Sequence, residues 1–405
     1  MTVIDSAPPA TRGAFEELTP EELVARAEAL APSLVSLQAE TEERTFYSEE
    51  THRRFQEAGF YRILTPRRYG GLEFGIDTFL KVAMAIASGC PSTGWQLCLG
   101  TSHALTVASF FEEDQQAELF AGADFICPTT VKPSGSARRN GDGDWIISGE
   151  FNYCSGSPYG QYFMGHTMPT EGPQLPMLFI APRSQWTRMD DWGSQLGMKG
   201  SGSHSIKFDN AVIPQRFAMP GIGLMDMDVS DGTPGLRLHG NPMYAGSSFS
   251  FFLLEAAAVS AGIAKNALYA FEDLMGKTTS FPPIVPRTQD PDYQRWYGIG
   301  AGKVITAEAV VVQCAAQWME TSRQKAFTRE QDMRLVAMSR EAIELSWQAV
   351  SDVFFRVAGS SSVRNGDRLE RIWRDLSTLR SHSGFVFFIE HSKRELTRAR
   401  FGIDA

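Results

Sequence analysis

The sequence predicts an α+β fold in three parts, helical, then β, then helical. Three observations carry this. Apolar residues recur at helical spacing through the first 125 positions. The texture changes at Phe125 to short β-rich runs separated by Gly, Pro, Asn and Asp turns. From about residue 244 helical spacing returns in long stretches, the lengths of a helical bundle. The expected division is a disordered tail over 1–18, a helical domain over 19–125, a β domain over 126–235 and a four-helix bundle over 236–405.

Each part has local justification. The tail is small and polar, with Pro8-Pro9. Thr19 suits an N-cap, Pro20 a first helical position and Glu22 the second half of a capping box. Leu23, Ala27, Leu30, Leu34 and Leu37 continue that helix. A second helix follows Ser48 and stops at Gly59, before a turn at Arg67 to Leu72. Further helices are expected over 76–87, 93–110 and 114–121. Strands are expected over 125–127, 145–147, 162–166, 177–180 and 205–208, with a close at 212–214 and a hairpin turn over 139–144. Together they suggest a small antiparallel barrel or sandwich. Long helices are expected over 249–274, 294–320 and 330–357, with a fourth from Leu369 onward.

The totals exclude several classes of function. A net charge of −9 argues against a nucleic-acid partner. Residues 1–14 hold no apolar core of signal-peptide length. The most apolar window, 249–264, is interrupted by Glu255 and is too short to cross a bilayer, so no membrane association is expected. Five scattered cysteines fit a reducing, cytoplasmic setting. The histidines lack metal spacing, so no metal is expected. Gly200-Ser-Gly202 does not fit a dinucleotide fingerprint, and 298–304 lacks the residues of a phosphate loop. A G-x-S-x-G elbow is absent.

The most informative stretch is 145–156. It begins as a strand, and Gly149 marks a bend or the close approach of another backbone. It ends at Cys154-Ser155-Gly156, which can present a hydroxyl and bare N–H groups to a flat polar ligand. A strand running into a plain turn is the alternative.

Four motifs in this order resemble the acyl-CoA dehydrogenase superfamily. They are PRRYGGL from Pro66, the strand–hairpin–strand from Thr129 to Gly156, WGSQLGMKGSGS from Trp192, and RIWRD from Arg371. The dehydrogenases carry a glutamate base soon after the Arg-Asp pair; here Ser383 stands at that place, preceded by His382. A neutral serine cannot abstract an α-proton. Arg-Asp followed by histidine instead resembles the oxygenase components of group D two-component flavin-dependent monooxygenases, such as the p-hydroxyphenylacetate, chlorophenol and seco-steroid hydroxylases. Dibenzothiophene monooxygenase is similar in its Cys-Ser-Gly segment.

The resemblance implies reduced FMN or FAD delivered by a separate NAD(P)H:flavin reductase, O2 as co-substrate, a C4a-hydroperoxyflavin, and a small organic substrate, aromatic and phenolic in the first instance. Heteroatom (N or S) oxygenation, an oxidase or dehydrogenase, and a silent flavin-binding or scaffold member are the alternatives. It also implies a homotetramer. By the same resemblance Ser155 lies near flavin N5, Cys154 and Thr129 line the flavin, and Trp192, Lys199 and Ser201 either line it too or serve only a turn. His382 is the acid/base beside the ring, with a solvent-facing helix histidine as the alternative. His103 lies in the substrate pocket or is a buried structural histidine. Arg287 contacts a flavin phosphate or is an exposed loop arginine. Ser360 and Ser361 replace glycines of a loop at the flavin. His166, His204 and His391 read as structural or exposed. Specificity is expected from 220–243 and 282–291, both long and irregular.

Overall fold

The computed structural model describes residues 15–403 other than 174 and 326. Of the expected tail, residues 1–14 lie outside the described residues, and Phe15 packs beneath the Arg62 guanidinium at 5.2 Å.

The N-terminal part is helical: α1 (Pro20–Arg44), α2 (Glu49–Ala58), α3 (Ile76–Gly89), α4 (Pro91–Thr101), α5 (His103–Phe110) and α6 (Glu113–Leu119). Thr19 and Glu22 form the expected capping box, and α2 runs from its Ser48 cap to a left-handed Gly59. The single helix expected over 93–110 is two helices, broken at Ser102. The Cys127 N–H donates to the Gly100 carbonyl at 2.6 Å. A carbonyl engaged by a distant segment leaves the helical ladder, so the cause of the break is tertiary.

The β part comprises β1 (Ser136–Arg139), β2 (Trp145–Phe151), β3 (Tyr162–Pro169), β4 (Met177–Pro182), β5 (Thr187–Arg188), β6 (Ile206–Ile213) and β7 (Ala218–Pro220). They form one sheet in the order β5-β6-β2-β1-β3-β4-β7. The sheet is mixed and not purely antiparallel, because β1 pairs β3 in parallel over Ser136 and Ala137. The chain leaves β2, turns through 152–161 against α4, and returns along β1 in the same sense. The strand expected over 125–127 does not form, and nearby Thr129 makes only an isolated bridge to Met164, while 205–208 and 212–214 merge into β6. Gly149 has a φ of 133° and sits where a Cβ would lie 2.4 Å from Gly135 Cα, the close approach expected of it. Phe151, Phe163, Phe179 and Phe208 pack edge-on or tilted as the core of this sheet.

After α7 (Pro234–His239) comes α8 (Ser248–Lys277), then a short hairpin of β8 (Thr279–Ser280) and β9 (Val285–Pro286). The bundle continues with α9 (Pro291–Arg323) and α10 (Arg329–Trp347). A π-helical segment, Gln348–Phe355, joins α10 to α11 (Arg356–Ala358); α12 (Arg368–Arg380) and α13 (Ser383–Phe401) follow. α8 is the central element, packed against α3, α9, α10 and α12. Its apolar window is long enough for a bilayer, but 94% of it is buried inside the protein. The helix expected from Leu369 onward is two helices, and His382 stands at the break with extended backbone (ψ 122°).

Candidate functional site

The turn after β2 is pressed onto α4. Gly156, at φ 96°, lies where a Cβ would approach Gly100 Cα to 3.0 Å, so a side chain at 156 would crowd this contact as well as strain the backbone. The contact sets Ser155 against the helix. Trp95 Nε1–H donates to Ser155 Oγ at 2.9 Å, Ser155 Oγ lies 2.8 Å from Ser203 Oγ, and Ser203 Oγ lies 2.7 Å from Ser201 Oγ. An indole N–H only donates, so one Ser155 lone pair is taken. Whichever way the protons run along the serine row, Ser155 keeps one hydrogen-bonding position unused among the described residues. If Ser155 donates to Ser203, that position is an acceptor.

Trp95 also reaches His382, with ring centroids 5.9 Å apart. The helix break therefore turns His382 inward onto α4 rather than to solvent. Burial pushes the imidazole down to about 4, so it is neutral at physiological pH. The side chain of Ser383 lies outside the described residues.

The loop opening with Trp192 forms a neighbouring wall. Trp192 Nε1–H donates to the Met198 carbonyl at 2.9 Å, its backbone N–H reaches His204 Nδ1 at 3.3 Å, and its ring meets exposed Tyr153 edge-on at 5.7 Å. His204 Nε2 lies 2.9 Å from Thr45 Oγ1, so the ring carries its proton there and anchors the loop. His166 is likewise structural: Nδ1 bonds the Thr130 carbonyl at 2.7 Å and Nε2 accepts Leu224 N–H at 2.9 Å, tying 220–243 to β3.

The Arg-Asp pair of α12 clamps the same loop. Arg374 Nη1 donates to the Leu196 carbonyl at 2.8 Å while its guanidinium pairs with Glu370 and Glu42. Asp375 Oδ1 accepts the Met198 N–H at 2.5 Å and holds a backbone at φ 54°. Burial raises Asp375 to about 7. Asp375→Ala will cost about 2–3 kcal/mol, the price of an orphaned buried N–H plus a strained backbone. Denaturant unfolding checks this; a loss under about 0.5 kcal/mol would show that the clamp is dispensable.

The other expected residues fall as follows. Cys154 is fully buried with Sγ against the Phe151 carbonyl at 3.0 Å, so its thiol faces the sheet core. Thr129 Oγ1 is buried without a partner, as are both ends of the Gln96 amide and His103 Nδ1. His103 begins α5; burial pushes it to about 4, against weaker opposing pulls from the backbone of Cys127 and Leu99. Arg287 and the 360–361 serines form a second group: Arg287 Nη1 donates to Ala358 O at 3.0 Å and its guanidinium covers Tyr293 at 4.6 Å. Ser360 and Ser361 are exposed beside it. Trp95 was not legible as a site residue, since it belongs to no motif; Ser203 closes the stretch that begins at Trp192, but its role depends on a helix meeting a turn.

Two family descriptions match the chain: "Acyl-CoA dehydrogenase, N-terminal domain" over residues 20–123 and "Acyl-CoA dehydrogenase, C-terminal domain" over 254–387, together more than half of its length. The chain belongs to the acyl-CoA dehydrogenase family. Within the family it is similar to a pigment production hydroxylase of a Rhodococcus species, 27% identical over 96% of this chain and 98% of that one. It is also similar to the flavin-dependent monooxygenase oxygenase subunit HsaA of Rhodococcus jostii, 25% identical over 88% and 93%. The solved structure of XiaF from a Streptomyces species, in complex with FADH2 and glycerol, shares the fold with a TM-score of 0.85, at 21% identity over 95% of this chain and 96% of that one.

Proposed function

We propose that the chain is the oxygenase component of a two-component flavin-dependent monooxygenase, hydroxylating an aromatic, in the first instance phenolic, small molecule. The observation that carries this reading is the Trp95–Ser155–Ser203–Ser201 row, which leaves Ser155 one open hydrogen-bonding position beside neutral His382. The names of the hydroxylase and monooxygenase relatives support it. The residues fit a flavin ring: Ser155, the unpartnered Gln96 amide, Thr129 Oγ1 and Trp192 offer polar and aromatic partners to a flat heterocycle. Reduced FMN or FAD, when bound, supplies the activation of O2 for transfer of one oxygen atom. Ser155 Oγ accepts an N–H at the ring edge and holds that proton in place. Trp95 fixes the Ser155 rotamer. Trp192, Met198 and the α4 contact exclude water. Neutral His382 accepts the proton of a substrate hydroxyl.

A separate NAD(P)H:flavin reductase supplies reduced flavin. Self-assembly to a homotetramer is supported by α9, whose apolar window is only 33% buried and which exposes Ile299, Ile305 and Val312. A second copy is then the source of the Arg287 and 360–361 group at a flavin phosphate. A reducing, cytoplasmic setting is supported by five free, buried cysteines.

With any flavin reductase and a panel of phenols, product will form in step with reduced flavin consumed. Peroxide alone across the whole panel would overturn the reading. His382→Ala will lower hydroxylation on the order of 100-fold, the scale of a lost general base. Full rate and coupling in that variant would remove His382 from the mechanism.

A further inference from the structure

Glu255 is the acidic residue inside an otherwise apolar run of α8, with Phe251 to Ala264 fully buried around it. Its Oε1 has no hydrogen-bond partner among the described residues, and Ser102 Oγ faces the carboxyl from the end of α4. Cys98, one turn earlier on α4, also faces Glu255. A buried, half-satisfied carboxyl between two packed helices costs about 1–3 kcal/mol and needs a reason to be there.

The surroundings supply one. Leu99 is the residue of α4 that is not buried, and it lies between Trp95 and Ser102 on one face of that helix. Trp95 meets His382 below it. From α8, Phe252 reaches the same corner, 3.8 Å from where a Gly384 Cβ would stand, and Glu255 follows one turn later. Leu99 thus has Trp95, His382 and Phe252 toward one end and Ser102 and Glu255 toward the other. His103, with unpartnered Nδ1, adjoins the latter end.

We propose that Glu255 is a substrate-binding residue whose carboxyl hydrogen-bonds an uncharged oxygen, a hydroxyl or ketone, at the end of the substrate remote from the position hydroxylated. This rests on the oxygenase reading for the direction in which the substrate lies. Burial raises the carboxyl to about 8, only partly offset by Ser102, so at neutral pH it carries a proton to donate. The site then takes neutral substrates over those ending in a carboxylate, which would face a second acid, or in an ammonium.

The test is direct ligand binding without flavin, by calorimetry, on a phenol series bearing a hydroxyl or acetyl, a carboxylate, or an ammonium group at the far end. Wild type will prefer the neutral members. Glu255→Leu will weaken them about tenfold or more, and Glu255→Gln, which still donates, by about threefold or less. In turnover the loss will fall on KM more than on kcat. Unchanged binding in Glu255→Leu, or wild-type preference for ammonium lost in Glu255→Gln, overturns the proposal. A kcat collapse in Glu255→Gln, with a pH profile showing one lost base, assigns Glu255 to proton transfer and also overturns it. Failure of the oxygenase reading shows separately, as wild type that binds these phenols but forms no product.

Discussion

Replacing Ser155 with alanine will raise the peroxide released per product formed by about tenfold, the effect of about 1.4 kcal/mol at one hydrogen bond. The argument is one of hydrogen-bond capacity. Trp95 occupies one Ser155 lone pair at 2.9 Å; with the hydroxyl proton given to Ser203 at 2.8 Å, one lone pair remains for a ligand N–H. Alanine removes that acceptor and also strands the buried indole N–H. Trp95 then loses the contact that fixes it beside His382, so part of the loss falls on orientation. Trp95→Phe separates the two contributions: it keeps the ring against His382 and Ser155's hydroxyl, and will uncouple less than Ser155→Ala. Product and peroxide quantified per reduced flavin decide this. Equal coupling in Ser155→Ala and wild type would show that the turn is only a turn.

Much of the fold was legible where local chemistry decides it. The Thr19–Glu22 capping box and the Gly59 stop are set by residues within one turn, and both form as read. The breaks at Ser102 and His382 were not legible. The first depends on Cys127 reaching Gly100 and the second on how α12 and α13 pack; Gly100 and Gly384 stand beside the breaks, but a lone glycine in a helical pattern does not by itself end it. The parallel β1–β3 pairing escaped for the same reason, since a run of strands and turns does not disclose which edges meet. In the site, Ser155 was legible from its motif, and the structure adds what no motif carries, the indole that fills half its bonding capacity. Glu255 was visible as a charge interrupting an apolar run, but only the helix pairing shows that Ser102 faces it. Arg287 and the 360–361 serines were read as parts of one flavin site; Arg287 bonds Ala358 beside those serines, and the proposal has a second copy bring this group to the flavin.

Stability will peak near neutral pH, and Glu255→Gln will flatten its alkaline side. Burial holds His52, His103, His204 and His382 at about 4, below the ordinary histidine value. A depressed pKa contributes stability that is present above the unfolded value and lost as pH falls through the folded one. Stability therefore declines from about pH 6.5 toward 4, by up to about 1.4 kcal/mol per unit for each histidine. Glu255 and Asp375 act in the opposite sense, raised by burial to about 8 and about 7. Their stability is fully present below the ordinary carboxyl range and is lost as pH rises through the folded values. Below about 6.5 the four histidines outweigh the two acids; above it the acids act alone, and the curve turns down. Glutamine at 255 cannot ionise, so its advantage over wild type will grow from near zero at about pH 4.5 to on the order of 3–5 kcal/mol at about pH 8. Parallel thermal unfolding of wild type and Glu255→Gln across this range measures it. Parallel curves would mean that Glu255 is ionised in the folded protein, and would remove the neutral donor on which its proposed contact with substrate depends.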